Sequence, residues 1–429
     1  MTALVGFLMI IAIIVLLLRN KMAPFVVLTV MPVLAALLLG FSSLQIVGFV
    51  EGGVQTTMTN GILFLFSVIY FGVLSDTGLF QVLVGRIIRP AGGSVIAMTA
   101  VTMLIATVSC IDGATVTAIL ITVPALYPIY VEMNIDRRIL LCLTGTCMSV
   151  MNLLPWSGPV ARAATVLNMD LNVLWHRLIP VQLVGLAVNL ILAVVLGILA
   201  VKQGAHRLTG KTKEEGTVET SDISLLRPRL LKWNLILTIV LVVVLVLGIV
   251  PNYTAFMASL CILLIMNYPD MKQQNEIVKK HAPDALLIAA TLYASGAMVG
   301  VLNETGMLSD MAEMLVHVIP GFLGQYIHVI FGLLALPIGM SIGTDAYFYG
   351  VMPLAIELGE AYGIEAVNTA SAMLIGRCLT PFVCPLVPSL YLGLSMAKIE
   401  LKEHLKFSIP VYWTASVILL VSGLLLGIV

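Results

Sequence analysis

The chain has 429 residues, 60% of them hydrophobic and only 10% charged, with 22 basic residues balancing 22 acidic ones. A soluble globule carries about 25% charged residues, so the composition excludes one. The basic residues are spread over loops rather than gathered in a patch, which excludes a nucleic-acid partner and leaves membrane lipid as the surrounding medium.

Taken in chain order, apolar segments suited to a hydrocarbon core of about 30 Å fall at 2–18, 23–40, 61–75, 94–110, 139–165, 180–201, 233–250, 253–267, 285–302, 325–340, 366–392 and 408–428. The expected fold class is an all-α polytopic membrane protein. The first segment has no basic stretch before it and no small-residue cleavage site, so it reads as a helix and not a signal peptide. Basic residues concentrate on alternate loops: Arg19 and Lys21, Arg86 and Arg89, Arg137 and Arg138, seven from Lys202 to Lys232, then Lys272, Lys279 and Lys280, and finally Lys398, Lys402 and Lys406. One alternating topology puts 19 of the 22 on one side, and the positive-inside rule makes that side the cytoplasmic face of the cell membrane. Arg177 then faces out, as do both termini. Residues 202–232 read as a flexible cytoplasmic linker between two halves, 1–201 and 233–429. The six cysteines lack metal-site spacing and read as packing residues.

The halves repeat. GVLSDTGL (72–79) returns as GVLNETGM (300–307), 228 residues later. By the loop count the first copy ends near the cytoplasm and the second near the outside, which is the signature of an inverted-topology repeat. The matched acids, Asp76 and Glu304, are expected to cap the amphipathic stretches that follow. Farther on, SCIDGATVTAILITVPALYPIY (109–130) and SIGTDAYFYGVMPLAIEL (341–358) each set an aspartate, Asp112 or Asp345, near a glycine, Gly113 or Gly343. A full crossing there would throw the basic loops out of register. Each run is therefore expected to be a re-entrant hairpin, entering from the cytoplasm in the first half and from outside in the second. NLLPWSGPVARAA (152–164) then matches RCLTPFVCPLVPS (377–389), with Pro155 and Pro159 spaced like Pro381 and Pro385. Proline lacks the N–H and breaks the helix ladder, so each half is expected to hold a discontinuous helix beside a hairpin tip.

Arg162 and Arg377 flank these breaks. Intramembrane charge is costly and marks function by default, and a guanidinium fork suits a carboxylate. A structural pair with Asp112, Asp345 or backbone carbonyls is the alternative. Asp112 and Asp345 suit proton carriage or a hard cation, or a helix cap. Asn152, Ser157, Thr344 and Thr380 are candidate oxygen donors. His317 and His328 read as relays or as hydrogen-bonded packing, and Glu357 and Glu360 follow the second hairpin toward the exterior. There is no GxxxxGK[ST] for ATP, and no HExxH or GxSxG for an intramembrane enzyme. A channel fits inverted breaks around a blocked midplane less well than a transporter does.

At these motifs the sequence resembles the citrate–metal ion:proton symporter family (CitMHS-like), within the ion transporter superfamily. The resemblance rests on VIYFGVLSDTGLF (68–80), ITVPALYPIY (121–130), VMNLLPWSGPVARAA (150–164), GTDAYFYGVMPL (343–354) and PLVPSLYLG (385–393), spread over both halves. It implies proton-driven uptake of citrate or a related di- or tricarboxylate, complexed with a divalent cation such as Mg²⁺ or Ca²⁺. It also implies a homodimer with a scaffold and an elevator-type transport domain. No tightly bound cofactor is expected. The family's first hairpin tip has the form DGDG followed by threonines; here it reads Asp112-Gly113-Ala114-Thr115, with one acid missing. Under this reading Arg162 and Arg377 hold carboxylates, while Asp112 and Asp345, with Gly113 and Gly343 beside them, take the proton or the metal of the complex. The rival within the superfamily is a sodium-coupled dicarboxylate or anion transporter.

Overall fold

Hydrocarbon offers the backbone no hydrogen-bond partners, so apolar segments of this length are forced into helices. The computed structural model describes residues 1–19, 22–88, 93–113, 115–206, 225–385 and 387–429, and these contain helices and no strands. The first set of helices comprises α1 (Thr2–Leu18), α2 (Pro24–Leu38), α3 (Ser43–Asp76), α4 (Leu79–Ile88), α5 (Val95–Ser109), α6 (Thr115–Glu132), α7 (Arg137–Met151), α8 (Gly158–Val166) and α9 (Leu171–Lys202). The second comprises α10 (Leu231–Leu247), α11 (Asn252–Asn267), α12 (Met271–Glu304), α13 (Met307–Val318), a single turn α14 (Gly321–Gly324), α15 (Ile327–Ile342), a π-helical stretch Ala346–Val351 running into α16 (Met352–Ala361), α17 (Ala366–Arg377), α18 (Pro388–Ala397) and α19 (Leu401–Leu425). Five of these helices, α3, α6, α9, α12 and α19, are long and apolar enough to cross a membrane, and six shorter ones are apolar. Most of the linker, residues 207–224, lies outside the described residues.

The helix order recurs. α2, α3 and α4 begin at 24, 43 and 79; α11, α12 and α13 begin at 252, 271 and 307, each 228 later. α3 and α12, 34 residues each, lie against one another and run antiparallel. Gly53 of α3 meets the backbone of Gly296 and Gly300, while Gly72, farther along α3, lies under the His281 ring. Adding 228 to 53 and 72 gives 281 and 300, so the contacts Gly53–Gly300 and Gly72–His281 are images of each other. At Gly53 the approach leaves no room for a side chain, since a Cβ there would stand 2.1 Å from the Gly296 carbonyl oxygen.

Two expectations change. The segment 94–110 becomes α5, which continues through a short turn into α6 of the run 109–130. α5 and α6 are the hairpin's two arms, and residues 110–113, which include Asp112 and Gly113, lie in the turn between them. α5 has 15 residues, about 22 Å of helix. The segment 325–340 likewise becomes α15, the first arm of the second hairpin, with Gly343–Asp345 at its tip. The long helices also begin earlier than hydropathy indicates: α3, α9 and α12 start at 43, 171 and 271, because their first turns carry polar residues outside the apolar run. α7 and α17, which lead into the two breaks, are buried from 139 to 151 and from 369 to 377. The breaks therefore lie in the interior of the helix bundle.

Candidate functional site

A cavity of about 890 Å³ lies between α3, α12, both hairpin tips and both helix breaks. Each tip turns on a glycine with positive φ, Gly113 (+71°) and Gly343 (+78°). Gly343 has ψ −175°, a conformation open essentially to glycine alone. Three helical segments start on the cavity wall, at Thr115, Gly158 and Ala346. Their free N–H groups and dipole ends favour an anion there.

The charged groups come from both halves. Arg162, on α8, donates from Nε to Asp345 Oδ1 at 2.9 Å, across 183 residues of chain. Gly158 leaves space for this guanidinium, since a Cβ there would stand 2.6 Å from Arg162 Nη1. Arg377, the last residue of α17, is 1% exposed. Its Nη2 donates to Thr344 Oγ1 at 2.8 Å, and its guanidinium sits over the rings of Tyr347 and Phe348, about 5 Å from each centroid. Arg377 Nε and Thr380 Oγ1 are buried without a hydrogen-bond partner among the described residues. Arg162 follows its break and Arg377 precedes its own, yet both line the one cavity.

Of the candidates named from sequence, Arg162, Arg377, Asp112, Asp345, Asn152, Thr344, Gly113 and Gly343 all line the cavity. Two do not. Ser157 donates from Oγ to Leu154 O at 2.7 Å and also to Asn152 O, so its hydroxyl pins the break. Thr380 is fully buried behind Arg377, where Gly339 presses on both. Among the described residues no three His, Cys, Asp or Glu side chains gather as a metal site; Ala114, at the tip position where an acid is missing, lies outside them. His317 bonds within its own helix to Glu313 O. Glu357 accepts from Ser309, away from the cavity.

Sequence reasoning missed several residues. Asp76 is the last residue of α3. It pairs with Lys280 Nζ and His281 Nε2, each at 2.9 Å, and lines the cavity together with His281 and Asp284. The GVLSDTGL motif marked Asp76, but its partners lie in what hydropathy reads as a loop. Trp156, inside the first break, donates from Nε1 to Ile111 O at 2.6 Å and so ties the break to the hairpin tip. Its ring packs on Phe71 and Phe256. Thr115 and Thr117 also line the cavity.

Comparison with known proteins gives the following. The family model for citrate transporters (CitMHS) matches residues 2–376. A "Citrate transporter" of Bacillus subtilis (strain 168) is 30% identical over 430 residues, covering all of both chains. A "Mg(2+)/citrate complex secondary transporter" of the same organism is 31% identical over 428 residues, covering all of this chain and 99% of the relative. Among solved structures, the YdaH transporter of Alcanivorax borkumensis superposes with a TM-score of 0.61 at 14% identity, over 88% of this chain and 86% of that one. At that identity the likeness is one of fold.

Proposed function

The chain belongs to the CitMHS citrate transporter family, and from that premise we propose that it takes up citrate, bridged to a divalent cation, by proton-driven symport. It is a multi-pass membrane transporter and not an enzyme. The observation that carries the reading is the Arg162–Asp345 pair, formed between the two halves inside the cavity that also holds Arg377 and Asp112. A metal-bridged citrate offers each member of the pair what it takes from the other: carboxylates for the guanidinium and a cation for the aspartate. Free citrate satisfies Arg162 and leaves Asp345 facing like charge. A cation that arrives already chelated needs few ligands from the protein, and Asp345 and Asp112 suffice.

The antiparallel α3–α12 contact, carried into itself by the 228-residue shift, supports two inverted repeats, 1–201 and 233–429, joined by a cytoplasmic linker. The hairpins and breaks that surround the cargo support re-entrant tips that travel as one body, in an elevator-type cycle within a homodimer of the cell membrane. The test is counterflow in proteoliposomes preloaded with unlabelled carboxylates. Accumulation of labelled citrate when Mg²⁺ or Ca²⁺ is present, and its loss on chelation, is the expected result. Sodium-dependent accumulation that ignores chelator would replace this reading with sodium-coupled transport of a free carboxylate.

A further inference from the structure

The wall of the cavity holds a second titratable group that the site above does not use. Asp76 ends α3, and its carboxylate accepts from Lys280 Nζ and sits 2.9 Å from His281 Nε2, both on α12. His281, Asp76 and Asp284 face the same cavity as Arg162 and Asp345. Room for the imidazole is built in, because a Cβ at Gly72 would stand 2.4 Å from His281 Nδ1.

The cluster is one-sided. Shifted by 228, Asp76 becomes Glu304, while His281, Lys280 and Asp284 become Gly53, Gly52 and Thr56. The image of the site therefore keeps an acid and has no base opposite it. At that other end of the α3–α12 crossing two glycine backbones touch instead. A packing role would be met by the same small residues at both ends. The asymmetry places a titratable pair only at the end beside Met22 and Pro24, which also line the cavity and which the basic-loop count makes cytoplasmic.

We propose that His281, held by Asp76, is the proton-release station of the transport cycle, accepting a proton from the cavity and delivering it to the cytoplasmic side. This rests on the proton-coupled reading above. The step is a transfer only. The neutral imidazole takes the proton at one ring nitrogen, the imidazolium is stabilised by the Asp76 carboxylate, and the proton leaves to water on the cytoplasmic side. Among the described residues, the titratable and charged groups near the imidazole or on the same cavity wall are Asp76 from α3, Lys280 and Asp284 from α12 itself, Arg162 from α8, and Asp112 and Asp345 from the two tips, with Arg227 bonded next to Asp76 at Thr77 O and stacked on Tyr268; α2, which also packs on α12, carries no titratable side chain.

The test is citrate uptake in right-side-out and inside-out membrane vesicles, with pH set independently on each face. In the wild type, the rate is expected to follow pH on the cytoplasmic face. His281→Gln keeps a hydrogen-bonding side chain without a titration, and its dependence on cytoplasmic pH is expected to be lost. Asp76→Asn removes the carboxylate that faces the imidazole, and its profile is expected to move to lower pH. Elution at the wild-type volume in gel filtration establishes folding, and Asp76→Asn carries the test alone if the histidine variant does not fold. A His281→Gln or Asp76→Asn profile that overlays the wild type overturns the station while leaving proton coupling intact. A wild type indifferent to pH on both faces overturns the coupling and the station together.

Discussion

Replacing Arg162 by alanine separates a structural clamp from a cargo ligand. At 2.9 Å the attraction between Arg162 and Asp345 is about 6 kcal/mol at an effective dielectric of about 20, before desolvation is subtracted. Removing one partner of a buried pair costs about 3–5 kcal/mol, because the other charge is left uncompensated. Both side chains are about one-fifth exposed (19% and 21%), so water reaches them and the expected loss is near 3 kcal/mol for Arg162→Ala. The double variant Arg162→Ala/Asp345→Ala removes both charges and is expected to recover most of that stability. Neither variant is expected to transport, since the carboxylate ligand is gone from both. Thermal unfolding in detergent reads the stability and labelled citrate uptake reads the function. Uptake at the wild-type rate by the double variant would refute the reasoning, because the pair would then be a clamp whose removal is harmless.

Three further predictions follow from the same geometry. Arg377→Lys keeps the charge but loses the planar fork that reaches Thr344 and stacks on Tyr347 and Phe348, so citrate affinity in a binding titration is expected to fall at least about tenfold; unchanged affinity would remove Arg377 from the site. Trp156→Phe keeps the ring packing and deletes the bond to Ile111 O. A cost of about 1 kcal/mol and faster amide exchange confined to residues 110–113 are expected, and unchanged exchange would mean the tip is held elsewhere. Gly53→Ala sets a methyl 2.1 Å from the Gly296 carbonyl oxygen, so α3 and α12 must part. A stability loss of about 3 kcal/mol or more is expected in thermal unfolding, and wild-type stability would show that the crossing is loose.

The sequence makes the fold legible wherever its signals are local. Apolar run length finds the helices, the proline pairs find both breaks, and the GVLSDTGL and GVLNETGM copies find the 228-residue shift that the helix starts of α2–α4 and α11–α13 share. Arg162, Arg377, Asp112 and Asp345 stand out because charge is rare in apolar segments, and all four line one cavity. What the sequence leaves hidden is pairing at a distance. Arg162 and Asp345 lie 183 residues apart, and no periodicity joins them. Asp76 reads as a cap because a cap is the nearest local use of an aspartate, whereas its partners are 204 and 205 residues away. The segments 94–110 and 325–340 read as isolated apolar runs because hydropathy measures apolarity and not direction; in the structure each leads through a short turn into the next helical segment of its half.

The claim that the cavity takes a metal-bridged carboxylate is tested most directly by dual-label uptake, following citrate and the divalent cation into the same proteoliposomes under an inward proton gradient. The account predicts that both labels enter in a fixed ratio, that chelation stops both, and that Asp345→Asn lowers cation entry at least as much as citrate entry. Citrate entering at full rate while the cation stays outside would contradict it.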